Sequence, residues 1–326
     1  MIRPTLVPVV AFVLGTLIGL DAGAQHLWQE PKPPIPASKI EELIGATEKT
    51  ELSQERHILW VWGYDAWHRP GAHDYERVRD LMVGLLSKIP NATISTAYEF
   101  PSDHQFEQAD LVCLYLHLPQ LTPEQYQGLG AYLDRGGALV SIHESCIIRP
   151  SNAGKTLAEY LGRAWNEGQS QWGALFHDIQ IDNQHPIFRN FPPTIQFVDE
   201  FYWNLHQHPK GVEVIATSPA GPDGDSKKPA TSEELDGQEW PVVWTYLREQ
   251  GRVFGTTIGH NTFSYYDPEF RLMLFRGMAW ALNEDPAPFM PLVTDGITNE
   301  SGLIGTTDDL RDWQGKRRSP EELEAQ

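Results

Sequence analysis

Apolar residues along this chain recur in two ways, as short unbroken runs and as stretches that repeat every three or four positions. Residues 58–62, 111–116 and 138–142 are runs without alternation, which predicts strands buried on both faces, as in a parallel sheet. Between them, Val78, Leu81, Met82, Leu85 and Leu86 put one apolar face on a helix over 73–88 that stops at Pro90. A further strand is expected over 92–97. Thr122, Pro123, Glu124 and Gln125 form a helix start with a capping hydroxyl, a proline in the first turn and a glutamine that reaches back. That helix runs to Arg135, where Gly136 and Gly137 stop it. Strand and helix therefore alternate through the first half, the pattern of a doubly wound, mostly parallel α/β sheet with helices on both faces.

Beyond residue 152 the pattern loosens. A helix is expected over 155–161, short strands over 179–181 and 212–216, and an acidic loop over 218–237. Strands return at 242–246 and 252–258, followed by a helix over 268–282 that carries Phe270, Leu274, Met278 and Leu282. The tail past Asn283 lacks periodicity, and 311–326 is charged enough for a solvated extension that Trp313 would pin to the body.

Charge and composition narrow the function classes. The 326 residues include 25 basic and 44 acidic side chains, a net charge of −19 that repels phosphate backbones, so nucleic-acid and anionic-membrane partners are not expected. Cys113 and Cys146 match no metal or redox spacing and sit in or beside apolar runs, where a buried, reduced thiol is expected. At the N-terminus, Arg3 precedes an uncharged stretch over 7–20 and the triplet Ala22-Gly23-Ala24, the order of a secretory signal cleaved before Gln25. That stretch is shorter than the roughly 20 residues a membrane span needs, so no transmembrane segment is expected after cleavage and the mature protein is expected to be secreted or periplasmic. The chain then divides into a signal at 1–24, a leader at 25–55, a main domain at 56–284 and an extension at 285–326.

Ligands of an open parallel sheet bind beyond the carboxyl ends of its strands. The first strand runs into Trp67, His68, His73 and Asp74, the third into His117, the fourth into His143 and Glu144, and the late strand into Gly259, His260 and Asn261. Each imidazole alone reads as a satisfied structural histidine, but four strands deliver them to one rim. His177 and His185 lie in the irregular middle beside Asp178 and Asp182. Asp199-Glu200-Phe201-Tyr202-Trp203 reads either as a turn with a buried aromatic cluster or as carboxylates and aromatics that line a sugar site. There is no GxGxxG, no GxxxxGK[ST], no HExxH and no GxSxG, so no nucleotide cofactor is expected.

The order of Gly63, His73-Asp74, the segment from Gly137 to His143, His185-Pro186-Ile187, Asp199 to Tyr202, Pro241 to Trp244 and Gly251 to Phe254 with Gly259-His260 resembles the ThuA-like, or trehalose-utilisation, family over about 57–282. The resemblance implies a flavodoxin-like fold related to class I glutamine amidotransferases, with His143 at the turn where those enzymes carry their nucleophilic cysteine. Without that thiol no glutaminase activity is expected. Glu144 departs from the small residue usual after the elbow histidine. The family link implies an exported carbohydrate-processing enzyme acting on a disaccharide or a 3-keto-glycoside. His143 and His260 would supply acid/base or metal-ligand chemistry, Glu144 and Asp199 would orient them, and His73, Asp74, His117, Glu200, Tyr202 and Trp203 would bind the sugar. A zinc-like divalent ion held by His143, His177 and His260 fits imidazole chemistry. The alternative is a non-catalytic sugar- or partner-binding module on the same scaffold.

Overall fold

The computed structural model describes residues 31–68, 70–148, 153–219, 238–298 and 303–305, and of residues 174–177, 303 and 304 the backbone. The signal segment, the acidic stretch over 220–237 and Trp313 lie outside them. The elements are β1 (Ile35–Pro36), α1 (Ala37–Ile44), β2 (Arg56–Trp62), α2 (Tyr75–Leu86), β3 (Ala92–Tyr98), α3 (Asp103–Gln108), β4 (Leu111–Tyr115), α4 (Pro123–Asp134), β5 (Ala138–Ile142), α5 (Gly154–Leu161) and β6 (Arg163–Ala164). There follow β7 (Gln171–Ile181), β8 (Thr194–Trp203), β9 (His206–Gln207), β10 (Val212–Pro219), β11 (Glu239–Arg248), β12 (Gly251–Thr256), α6 (Pro268–Leu282) and β13 (Leu303–Ile304).

One nine-stranded sheet, in the order β3-β2-β4-β5-β12-β11-β10-β7-β8, organises the chain. The first five strands are parallel, in registers such as Leu59↔Val112, Leu114↔Ser141 and Thr256↔Ile142. All five residues of β4 and of β5 are buried, as their unbroken apolar runs require. Alternation splits β4 between two cores. Leu111, Cys113 and Tyr115 face the core filled by α2 and α6, while Val112 and Leu114 face the one filled by α4 and α5. Helices on both faces of a parallel sheet make this the doubly wound, flavodoxin-like arrangement. The start of α4 is a capping box, with Thr122 and Gln125 bonded reciprocally.

The second half of the sheet is antiparallel, and here structure and sequence pattern part. The stretch expected to hold a short strand over 179–181 forms the eleven-residue β7, and Asp199 to Trp203 is the end of the ten-residue β8, not a turn. The two pair from Gln171↔Trp203 to Gln180↔Thr194. Period-two alternation is present in β8, with Ile195, Phe197, Phe201 and Trp203 in one core and Tyr202 in the other. Two adjacent buried carboxylates, Asp199 and Glu200, interrupt it.

The core also runs past both ends of the 56–284 unit. Ile40 of α1 and Leu52 pack in it from one side, and Phe289, Leu292 and Val293 from a 3₁₀ segment on the other, while β1 pairs with β13. No helix among the described residues is long and apolar enough to cross a membrane.

Close packing of α6 on the sheet generates a test. A Cβ on Gly277 would lie 2.6 Å from the Phe254 ring of β12. Alanine is the better helix former by about 1 kcal/mol, but overpacking a dense core costs about 1–3 kcal/mol. Gly277→Ala should therefore lower stability in urea unfolding, and a gain would contradict this packing.

Candidate functional site

Four loops meet at the carboxyl edge of the parallel strands. The chain turns sharply after β5, with His143 held at φ +52 as a 3₁₀ turn over His143–Cys146 begins. Such left-handed backbone costs a non-glycine residue of the order of 1–2 kcal/mol, so it persists only where its surroundings enforce it. Opposite, Gly259 adopts φ +132 after β12, and a Cβ there would come within 2.8 Å of Ile142 Cγ2. The loop after β2 is tied to this one, because His73 N–H donates to the His260 carbonyl at 3.0 Å and Thr262 N–H to Gly71 at 2.9 Å.

These loops bring three imidazoles into contact. His73 Nε2 is 3.0 Å from His143 Nε2 and 2.8 Å from His260 Nδ1, and the last two are 3.3 Å apart. Glu200 Oε1 lies 3.7 Å from His143 Nε2 and 3.6 Å from His260 Nδ1. All four residues are buried.

Hydrogen-bond accounting assigns the protons. His143 Nδ1 is 2.7 Å from the Thr257 carbonyl oxygen, which can only accept, so Nδ1 carries the proton and Nε2 directs its lone pair inward. His73 Nδ1 lies 2.9 Å from Glu144 Oε2 and 3.6 Å from Asp65 Oδ2, close enough for charge attraction though not aligned as a hydrogen bond. Two carboxylates there keep the proton on Nδ1 and the Nε2 lone pair inward. The Tyr202 hydroxyl oxygen lies 2.8 Å from His143 Nε2, and its ring stacks on that imidazole at 4.5 Å. Burial, and then the neighbouring His73, hold His143 well below the ordinary imidazole value. Burial, with the charges of Glu144 and Asp199 behind it, pushes Glu200 well above the carboxylate range. Its Oε2 is buried and makes no hydrogen bond among the described residues.

An outer ring of carboxylates holds this centre. Glu144 accepts from the Tyr75 hydroxyl and from His117 Nδ1, the latter at 2.5 Å. Burial opposes its charge, but His73 and His117 outweigh that and hold it well below the usual range. Asp65 accepts from the backbone of Trp67 and His68, at 2.8 and 3.2 Å, and from His68 Nδ1 at 2.6 Å. Its burial is overcome by the His68 bond and charge, which bring it down to about 2. Asp199 forms no ion pair with an imidazole among the described residues, and its bonds go to a loop backbone instead. It accepts from the backbone of Gly259, His260 and Asn261 at 2.9–3.3 Å and from Ser264 Oγ at 2.6 Å, and so clamps the loop that presents His260. Burial pushes its carboxyl up to about 7 despite those donors.

Of the residues expected from sequence, His73, His143, His260, Glu200 and Tyr202 come together directly, with Glu144 and His117 one bond outside. Asp74 is spent on the loop, accepting from Gly71 N–H at 2.6 Å and Thr262 Oγ1 at 2.9 Å. Trp203 does not line the site. Next to Tyr202 on a strand, it faces the opposite core and is 2% exposed. His177 of β7 pairs with Phe197 of β8, three positions along the ladder from the Ala174↔Glu200 pair, a separation of about 10 Å; its side chain lies outside the described residues. His68, placed at the rim by the strand end that precedes it, joins the site, and Asp65 is an additional member whose signal was the i,i+3 spacing to His68. Both cysteines are free and buried, and burial pushes their thiols up, so Cys146 offers no nucleophile. A separate cavity of about 500 Å³ opens at the β8 edge beside Lys32, Phe197 and Asp267, with Ser264 in its lining.

A sequence model of the ThuA family, described as trehalose utilisation, matches residues 58–281. The crystal structure of a ThuA-like protein from Parabacteroides merdae superposes with a TM-score of 0.52 at 17% identity, covering 70% of this chain and 90% of that one. One from Bacteroides uniformis gives 0.54 at 15% identity, covering 77% and 96%. At these identities the likeness concerns the fold. No curated protein matches the chain.

The Asp65–His68 pair has a pH signature. A carboxyl near 2 when folded and near 3.8 when unfolded stabilises the fold above pH 3.8, and the contribution disappears as pH falls toward 2. At 1.36 kcal/mol per pH unit that is about 2 kcal/mol. Urea unfolding of wild type and Asp65→Asn should show a stability difference that shrinks by that amount between pH 5 and pH 2. A difference independent of pH would contradict the ion pair.

Proposed function

This chain belongs to the ThuA, or trehalose-utilisation, family, and from that premise we propose an exported carbohydrate-processing enzyme whose centre is one divalent metal ion held by His73, His143, His260 and Glu200. The observation that carries this reading is the convergence of inward imidazole lone pairs. His73 and His143 each commit a proton outward, so their Nε2 atoms meet at 3.0 Å as two acceptors, an arrangement that repels unless a cation lies between them. The donor set fits such an ion. An ion about 2.0–2.1 Å from each nitrogen in tetrahedral geometry spaces them at about 3.3 Å, against 2.8–3.3 Å here. The orphaned Glu200 oxygen and the four mutually close donor atoms suit it equally. This set replaces the one that included His177.

When bound, such an ion supplies Lewis-acid polarisation of a sugar hydroxyl or carbonyl oxygen. The remaining work falls to the chain. The Thr257 carbonyl, through its hydrogen bond, and Glu144, through its charge, fix the tautomers of His143 and His73 and raise their basicity, as groups behind metal-binding imidazoles do. Asp199 holds the backbone that aims His260. His117, bonded to Glu144 and 22% exposed, is placed to take or give a proton at the edge of the centre. The substrate class this suits is a neutral disaccharide or 3-keto-glycoside. Export rests on the N-terminal segment.

The test combines metal content with turnover. Purified protein should carry one equivalent of zinc or a similar ion, and His143→Ala should lose both the ion and turnover of trehalose or its 3-keto derivative, followed by NMR, by about 10² to 10⁴-fold. Chelation should abolish turnover and zinc restore it. Turnover that survives both chelation and His143→Ala would contradict the metal centre, and sugar binding without turnover in any state would leave a binding module.

A further inference from the structure

We propose that the Trp67 indole is the stacking platform for a neutral pyranose ring at the mouth of the histidine centre. The inference rests on the carbohydrate reading above and adds the subsite that reading lacks. Among the described residues three large hydrophobic side chains are exposed, Tyr98 at 40%, Leu247 at 53% and Trp67 at 89%. A lone exposed apolar residue is ordinary; its placement is what points to a ligand. Trp67 directly precedes His68, whose ring lies 3.9 Å from that of His73 and 5.4 Å from that of His260. It is therefore the chain neighbour of a ring that contacts two of the imidazoles.

The indole is exposed, but its base is fixed. Asp65 accepts from Trp67 N–H and His68 N–H, and its carboxylate also grips the His68 ring. That turn leaves only the two side-chain torsions to be ordered on binding, the condition under which a rigid aromatic gives contact area at low entropic cost. A pyranose matches the combination, because one face presents C–H groups to an aromatic ring while its rim of hydroxyls reaches a polar centre. The two aromatics expected in that role are already occupied, since Tyr202 stacks on His143 and Trp203 is buried in the core. Charge selects the class further. Asp65 and Glu144 put two negative charges beside the centre, which disfavours sugar phosphates and favours neutral sugars.

The experiment uses the whole protein labelled with 5-fluorotryptophan and read by ¹⁹F NMR, the Trp67 signal being identified by its loss in Trp67→Phe. Titration with trehalose, or with methyl α-glucoside as a single ring, should move that signal saturably, and sorbitol and glucose 6-phosphate should need at least tenfold higher concentration. Calorimetry should show Trp67→Ala weakening trehalose at least tenfold and Trp67→Phe less than threefold, with zinc content and melting temperature unchanged. Trehalose binding that leaves the Trp67 signal still, or an alanine variant that binds as wild type does, overturns the platform and leaves the carbohydrate reading standing. Absence of binding by any pyranoside overturns both. A Trp67 shift that persists after chelation supports the platform and removes the metal from ligand binding.

Discussion

Everything at the functional edge depends on holding three imidazole nitrogens within 3.3 Å of one another in a buried space. No local segment could do this. His73, His143 and His260 are separated by 70 and 117 positions, and they meet because β2, β5 and β12 run parallel and end at the same level of the sheet. The parallel registers set the height of each strand end, and the loops then set direction. His143 is turned inward by a left-handed residue, His260 by Gly259, and His73 by a second left-handed residue at φ +50.

Such an arrangement works against folding. It buries imidazoles and carboxylates, places two histidines in costly backbone conformations and aims like lone pairs at each other. What offsets it is a sheet with a dense core on each face, together with near-complete bonding of the supporting carboxylates. Asp199 shows the pattern most clearly. It takes three backbone N–H groups of the 259–261 loop and the Ser264 hydroxyl, besides the Glu200 N–H, so that a loop whose geometry favours no regular structure is fixed from beneath. Glu144 and Asp65 do the same for His73, and the Thr257 carbonyl does it for His143. The strain is thus confined to the rim while the sheet below keeps ordinary geometry.

That division also explains what could be read in the sequence. Where burial alone decides, as in β4, β5 and α6, an unbroken apolar run or a helical period gave each element to within a residue or two. The rim histidines were legible for the same reason, since they follow those strands directly. The β7–β8 hairpin was not, because Asp199 and Glu200 break an alternation whose other members are apolar, and their burial is made tolerable by partners 60 residues away. The run of carboxylates and aromatics over 199–203 does not tell which ring faces the site; one step along a strand separates Trp203 from Tyr202 and reverses its face. Trp67 and His68 were legible as residues following the first strand, Asp65 carried only its three-residue spacing from His68, and the role of Thr257 follows from loop geometry that no pattern announces.

The central claim is that these side chains enclose one ion. Diffraction from crystals of the zinc-loaded protein, measured across the zinc absorption edge, tests it directly. The account predicts one anomalous peak about 2.0–2.1 Å from His73 Nε2, His143 Nε2 and His260 Nδ1, with a Glu200 oxygen at about 2.0–2.2 Å. A peak seated on Asp65 and His68 instead, or zinc-soaked crystals with no peak and the three imidazoles bonded only to one another, would contradict it.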